Sequence, residues 1–522
     1  MRSSQLSNPR TWFCVRRNGA ARREGWLDGD SPADIRPRVG ARPGEVVEAC
    51  IAGDSRPVPV RRFSRVFFPR ARGIVGMELG LFGETVRLSP TRMLAANLGF
   101  DRALEKFLAA RNAGRDEFAA GGELRAFSAA QYLLPSGNGR SPVKLFRGST
   151  LVDPEPSSRE GRAADLADGI GTWMLANLSP DGGLPYKYWP SRGTESPADN
   201  AIRRFLASLA LARLGELRGS TEIRDAARRN LRFNLERYFQ DIGGGRGAIV
   251  ERTGAKLGAA AVAGLAILEN PAPEEFSREL AMLAAGIDSL VDEERGFRTF
   301  FFPAERDGEN WNFYSGEALL FWAEAARRKL PVAPTLACCS AAFERCRAWH
   351  RRKRNPAFVP WHTQACTSLY AQSGRREYAD FVLEMNDWLL PMQQWDGLDP
   401  DLKGRFYNPR RPDFGPPHAA STGAYVEGLG DAAALARGLG DEKRAAAYER
   451  AVHRGLRSLR QLQFRDERDA FYISRRDRVL GALRTEAYDN AVRVDSAAHA
   501  LLGAIKILRP VDVGARRYER AT

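Results

Sequence analysis

The chain is poor in the residues that most often build metal centres and covalent frameworks. It holds five histidines and six cysteines in 522 residues. The cysteines are Cys14, Cys50, Cys338, Cys339, Cys346 and Cys366, and no CxxC pair occurs among them. In so large a chain this spacing is neither a zinc signature nor a disulfide framework. No cluster of His, Cys and Asp has ligand spacing, so no metal and no other cofactor is expected. A run of about 20 apolar residues is also missing, which excludes a predicted membrane span. The opening residues lack the apolar stretch of a secretory signal, and a cytoplasmic location is the default expectation.

Acidic side chains are in deficit. Asp and Glu number 64 against 79 Lys and Arg, a net charge of +15. An Arg-rich composition is the plain explanation; the functional one is attraction to a polyanion, either an acidic saccharide or nucleic acid. The charge is dispersed and no nucleic-acid-binding module is recognisable, so an acidic saccharide is the expected partner. What the chain has in quantity is apolar material: 43% hydrophobic residues, with 10% aromatic, enough for a packed core.

That material is arranged in six similar units, each a polar helix, a loop and a helix opening on small residues. The second helices start near Asn200, Lys256, Ser315, Trp361, Thr422 and Asp495. Starts recur every ~45 to 75 residues, longer than common solenoid repeats of roughly 20 to 50. The first helices are predicted at 162–177, 221–240, 273–291, 333–353, 375–394 and 440–464, with charge on one face, as suits an outer layer. The second helices are rich in Ala, Gly and Leu nearly all round, as suits an inner layer. Gly374 and Gly440-Asp441 mark short turns from inner to outer helix, whereas the outer-to-inner loops are long. All elaborated loops therefore fall at the N-termini of the inner helices, where free N–H groups favour anionic or hydroxyl-rich ligands.

The fold class that follows is mainly α: a ring of six helical hairpins over 162–510, preceded by a small α+β unit over 59–150 and a Pro-rich linker at 151–161. Residues 59–88 alternate as two or three strands would, with turns at Arg72-Gly73 and Phe82-Gly83. Residues 1–58 have no steady periodicity and are expected to form a loosely ordered basic tail.

The six mouth loops bring candidates for binding a sugar. Loop one offers Asp181, Tyr186, Tyr188, Trp189, Arg192, Asp199 and Asn200; loop two offers Lys256. Trp311, Tyr314 and Glu317 follow in loop three, and Trp361 and His362 in loop four. The fifth supplies Trp395, Asp396, Tyr407, Asp413, His418, Tyr425 and Glu427, and the sixth Arg484, Glu486, Tyr488, Arg493 and Asp495. Aromatic faces interleaved with carboxylates and arginines suit sugar rings and their hydroxyl or carboxylate groups.

This pattern, from about Gly161 to Pro510, resembles the (α/α)6 toroids of carbohydrate-active enzymes. Among these are the six-hairpin glycosidases, the N-acylglucosamine and cellobiose 2-epimerases and the C-terminal domain of the D-glucuronyl C5-epimerases. The 2-epimerase resemblance implies an inner-helix histidine pair, matched here by His362 and His499. The C5-epimerase resemblance implies tyrosines and a carboxylate that move a proton beside a uronate, with arginines neutralising its carboxylate. The glycosidase resemblance implies two carboxylates as acid and base or nucleophile. A catalytically silent, polysaccharide-binding ring is the alternative of another class. The sequence reading favours acid/base chemistry of epimerase or lyase type on an acidic saccharide. Tyr314, Glu317, His362, Glu427 and Tyr488 are the catalytic candidates, with Arg192 and Arg493 as carboxylate binders.

Overall fold

The computed structural model describes residues 10–29, 31–137, 141–154, 158–252 and 254–511. Two parts follow one another in the chain: a mostly β N-terminal unit and a ring of helices.

In the N-terminal unit the main strands are β1 (Thr11–Arg17), β2 (Ala20–Leu27), β3 (Val46–Ala52), β4 (Val75–Leu81), β5 (Glu84–Leu88) and β6 (Glu123–Leu134). They lie in the order β2-β1-β3-β6-β4-β5, and all neighbours are antiparallel. Thr11–Arg17, Ala20–Leu27 and Val46–Ala52 therefore belong to the sheet, which corrects the expectation of a loose tail. The charges that masked the strands are paired across them: Arg16 Nε and Nη2 donate to Glu48 Oε2 at 2.9 and 2.8 Å, both side chains buried. Residues 59–71 also depart from expectation. They form short helical turns, Val60–Arg62, Phe63–Val66 and Pro69–Ala71, instead of a strand. Pro57, Pro59 and Pro69 withdraw donors from any ladder, and Phe63 and Phe67, one helical turn apart, insert together beside Phe100. The tight turn expected at Phe82-Gly83 is present, with both residues at positive φ between β4 and β5.

Among the described residues the ring contains twelve α-helices. The outer layer is α1 (Arg159–Asn177), α3 (Thr221–Tyr238), α5 (Ser277–Asp288), α7 (Leu336–Arg352), α9 (Arg376–Leu389) and α11 (Glu442–Leu462). The inner layer is α2 (Ala201–Arg218), α4 (Leu257–Leu268), α6 (Trp311–Arg327), α8 (Val359–Ser373), α10 (Ala419–Gly438) and α12 (Val494–Leu508). Each inner helix touches the next inner one, and α12 touches α2, so the ring is closed. It is the (α/α)6 toroid that the repeated units and the resemblance implied. An outer helix packs on the inner helix before it, and α1, which has none before it, packs on α12. Local signals set the boundaries. Ser158, Asn200, Ser220, Thr335 and Asp441 cap their helices, and Gly219 and Gly374 end α2 and α8 in the left-handed region.

The small residues of the inner layer allow close approach. Every residue of α4 is buried. A Cβ on Gly258 would collide with Glu317 and Tyr314 of α6, and one on Gly423 would come within 2.9 Å of His499 on α12. Among the described residues no helix is long and apolar enough to cross a membrane. The expected linker at 151–161 includes residues 155–157, which lie outside the described residues.

Candidate active site

Two cavities open at opposite ends of the ring. The larger, about 940 Å³, lies among the C-terminal ends of the inner helices. Its charges are largely spent on one another: Lys506 pairs with Asp431 at 2.7 Å, Arg328 with Glu269 at 2.9 Å and Arg327 with Glu324 at 2.6 Å. No aromatic side chain lines it. The smaller, about 480 Å³, lies at the N-terminal ends and mixes aromatic faces with titratable groups, as a sugar site requires.

This mouth cavity gathers eleven of the expected residues: Asn200, Lys256, Tyr314, Glu317, Trp361, Tyr407, His418, Tyr425, Arg493, Asp495 and His499. Glu317 projects from the second turn of α6 and is 3% exposed. Its Oε2 has no hydrogen-bond partner. Burial with no compensating donor pushes its carboxyl up to about 8, so it is protonated at neutral pH. Asp495, in the first turn of α12, is also buried, which alone would raise its pKa. Arg203, 3.0 Å away, and Arg493, which donates to both of its oxygens, hold it below the ordinary value instead. The phenols of Tyr314 and Tyr425 are raised by burial, with Glu317 adding to the effect at Tyr314.

Two imidazoles line the same cavity in complementary tautomers. His418 caps α10, and its Nδ1 accepts from the backbone N–H of Ser421 at 3.1 Å, which leaves the ring proton on Nε2. Burial, then the nearby Arg493, lower its pKa to about 4. His499 on α12 has its Nδ1 3.2 Å from Oε2 of Glu427 on α10. With the carboxylate accepting, the proton of His499 sits on Nδ1 and the Nε2 lone pair faces away from Glu427. Glu427 is 1% exposed and lies behind His499 instead of lining the cavity.

Other expected residues are placed elsewhere. His362 is buried on the far side of α8. Its Nδ1 is 2.8 Å from the Phe358 carbonyl, its ring stacks on Phe358, and burial lowers its pKa to about 3. A mouth position for His362 is therefore corrected: α8 turns that side chain into the α6–α8 seam, 3.3 Å from Ser315. Tyr488 and Glu486 do not reach the cavity either. Glu486 pairs with Arg405 at 3.0 Å, and Tyr488, raised by burial and then by Glu486, lies 5.9 Å below the Arg147 guanidinium. Trp311 stacks against Trp349, Tyr188 is buried under Arg478, and Arg484 covers Phe464. Asp181 closes a turn with Ser179 and Gly183, and Asp199 is held by Tyr238, Arg204 and Arg237. Trp189 lies between Lys187 and Arg192, Trp395 between Lys403 and Arg454, and Asp396 is exposed. Tyr186 stands at the edge of the cavity, hydrogen-bonded to Arg203.

Arg203, Arg306 and Asn310 also line the cavity, and sequence reasoning had not singled them out. Arg203 could have been found, since it lies one turn inside α2 from Asn200 and shares its face. Four cations line the cavity: Arg203, Lys256, Arg306 and Arg493. Lys256 pairs with Glu251 at 2.5 Å and Arg306 with Glu309 at 2.6 Å.

No protein-family model and no curated protein matches the chain. Several solved structures share its chain path. An α-1,6-mannanase from a Salegentibacter species, in complex with α-1,6-mannotetrose, is 13% identical; the match covers 67% of this chain and 100% of that one, with a TM-score of 0.47. Cellobiose 2-epimerase from Bacillus thermoamylovorans is 12% identical over 68% of this chain and 99% of that one, with a TM-score of 0.49. An unsaturated glucuronyl hydrolase specific for heparin is 12% identical over 68% and 99%, with a TM-score of 0.45. At these distances none of them carries residue roles onto this chain.

Proposed function

We propose that the protein is a carbohydrate-active enzyme that moves protons on an acidic saccharide bound in the mouth cavity, in the manner of an epimerase or lyase. The observation that supports this is a pair of imidazoles that each engage Nδ1 with a neighbour and leave Nε2 free, protonated in His418 and unprotonated in His499. His499 offers an Nε2 lone pair as the base, and Glu427 stabilises the imidazolium that forms when it takes a proton. His418 offers an Nε2–H, suited to donate a hydrogen bond to a sugar oxygen. The neutral carboxyl of Glu317 is a second donor. Arg203 and Arg493 share the single carboxylate of Asp495, so the group keeps a net positive charge for a substrate carboxylate, whose neutralisation lowers the barrier to removing the adjacent carbon-bound proton. Trp361, Phe406 and Tyr407 supply faces for the ring.

Incubation with uronate oligosaccharides in deuterated water tests the reading. Deuterium at the carbon beside the carboxylate, lost in His499→Ala, is expected; new reducing ends without exchange would replace this reading with hydrolysis. Hydrolysis is the second reading because one observation favours it: a protonated Glu317 and an ionised Asp495 share a cavity, the division of labour of an acid and a base or nucleophile. Neither product would leave a ring that only binds polysaccharide.

A further inference from the structure

The stretch from Ser55 to Met77 has no acidic residue and six arginines, Arg56, Arg61, Arg62, Arg65, Arg70 and Arg72. The first five are exposed, and among the described residues none of them forms an ion pair with a carboxylate. Other exposed arginines do meet carboxylates, as Arg351 does with Glu384 and Arg376 with Asp380. Phe63 and Phe67 point into the core and so turn the intervening side chains outward. Phe68 is 37% exposed, and the Arg70 guanidinium lies 5.7 Å from its ring.

This cluster is fastened to the rim of the mouth. The carbonyls of Arg70 and Arg72 each accept from Arg147 Nη1 at 2.6 Å, while Arg147 Nε and Nη2 reach Asp401 at 2.7 Å and Asp399 at 3.1 Å. Those two acids belong to the fifth mouth loop, which continues to Phe406 and Tyr407 in the cavity wall.

We infer that Arg56, Arg61, Arg62, Arg65 and Arg70, with Phe68, form an auxiliary surface that holds the chain of a polyuronate outside the catalytic cavity; this rests on the acidic-saccharide reading above. Repeating carboxylates along a sugar chain match spaced, unpaired guanidiniums, and Phe68 gives one ring a face to stack on. A single half-exposed phenylalanine is too little apolar surface to anchor a bilayer, and the tie to the rim lets one polymer occupy surface and cavity together.

The test compares wild type with Arg61→Gln/Arg62→Gln/Arg65→Gln and with Phe68→Ala, using polygalacturonate, a uronate trisaccharide, a DNA duplex and phosphatidylserine vesicles at low ionic strength. The triple variant is expected to bind polygalacturonate about tenfold more weakly and with a shallower salt dependence, and to handle the trisaccharide as wild type does. Unchanged melting temperatures show that the variants are folded. Equal polymer affinity in wild type and triple variant overturns the surface, as does tighter wild-type binding to DNA or vesicles than to polygalacturonate. If the arginines bind polymer but no uronate is turned over, the surface stands and the catalytic reading falls. Turnover of uronates with no effect of the arginines has the reverse meaning.

Discussion

Oε2 of Glu427 stands 3.2 Å from Nδ1 of His499, across the gap between α10 and α12. The residues are 72 positions apart in sequence and meet where glycines such as Gly423 let the two helices approach closely. Glu427→Gln retains the shape and removes the charge that orients and stabilises the imidazole. Turnover is expected to fall by about 100-fold or more with KM little changed, by analogy of role with other carboxylate–histidine pairs. Steady-state kinetics that show a KM effect alone would remove His499 from the base's role.

Glu317 gives the protein a pH-dependent stability. Its folded pKa of about 8 lies above the ordinary value of 4.5, so between these limits the folded state binds more protons than the unfolded one. The sign follows directly: stability falls as pH rises from 4.5 towards 8. Glu317→Gln has no such titration. Its melting temperature, relative to wild type, should climb by a few degrees between pH 5 and pH 8. A difference that stays flat over that range would mean the carboxyl is solvated.

Gly258→Ala tests the packing that holds this carboxyl. The added methyl meets Glu317 and Tyr314 at once, and overpacking of this kind costs about 1–3 kcal/mol. Chemical denaturation should show a loss of that order, and the Glu317 contribution to the pH dependence should shrink as the side chain is displaced.

Arg147 is buried, with carboxylates and carbonyls around its guanidinium. Arg147→Met leaves Asp401, itself 3% exposed, without its partner, and breaking a buried pair of this kind costs about 3–5 kcal/mol. The expected result is a lower melting temperature and faster proteolysis at the junction between the N-terminal unit and the fifth loop. A second substitution, Asp401→Asn, should recover part of the loss. No recovery would show that the pair is not the clamp.

The ring was legible because its signals are local. Ala and Gly runs such as Leu257–Leu268, caps at Ser158, Asn200, Ser220, Thr335 and Asp441, and turns at Gly374 and Gly440 report on their own neighbourhoods. The face carrying the mouth follows from loop length alone. The N-terminal strands were missed because their charged residues are matched by strands far away in sequence, as Arg16 is by Glu48. The rotation of α8 about its axis decides that Trp361 enters the cavity while His362, its neighbour, does not. No single-helix pattern distinguishes them when polar and apolar residues alike are buried all round the helix. The pairing of His499 with Glu427 is equally invisible, since it depends on how closely two helices approach.

Because α1 has no inner helix before it and rests on α12, the first helix of the circle to leave the ribosome waits for the last. Until Val494–Leu508 has been synthesised, the apolar flank of Arg159–Asn177 stays uncovered and the circle has a gap. Closure of the circle therefore comes late in its assembly.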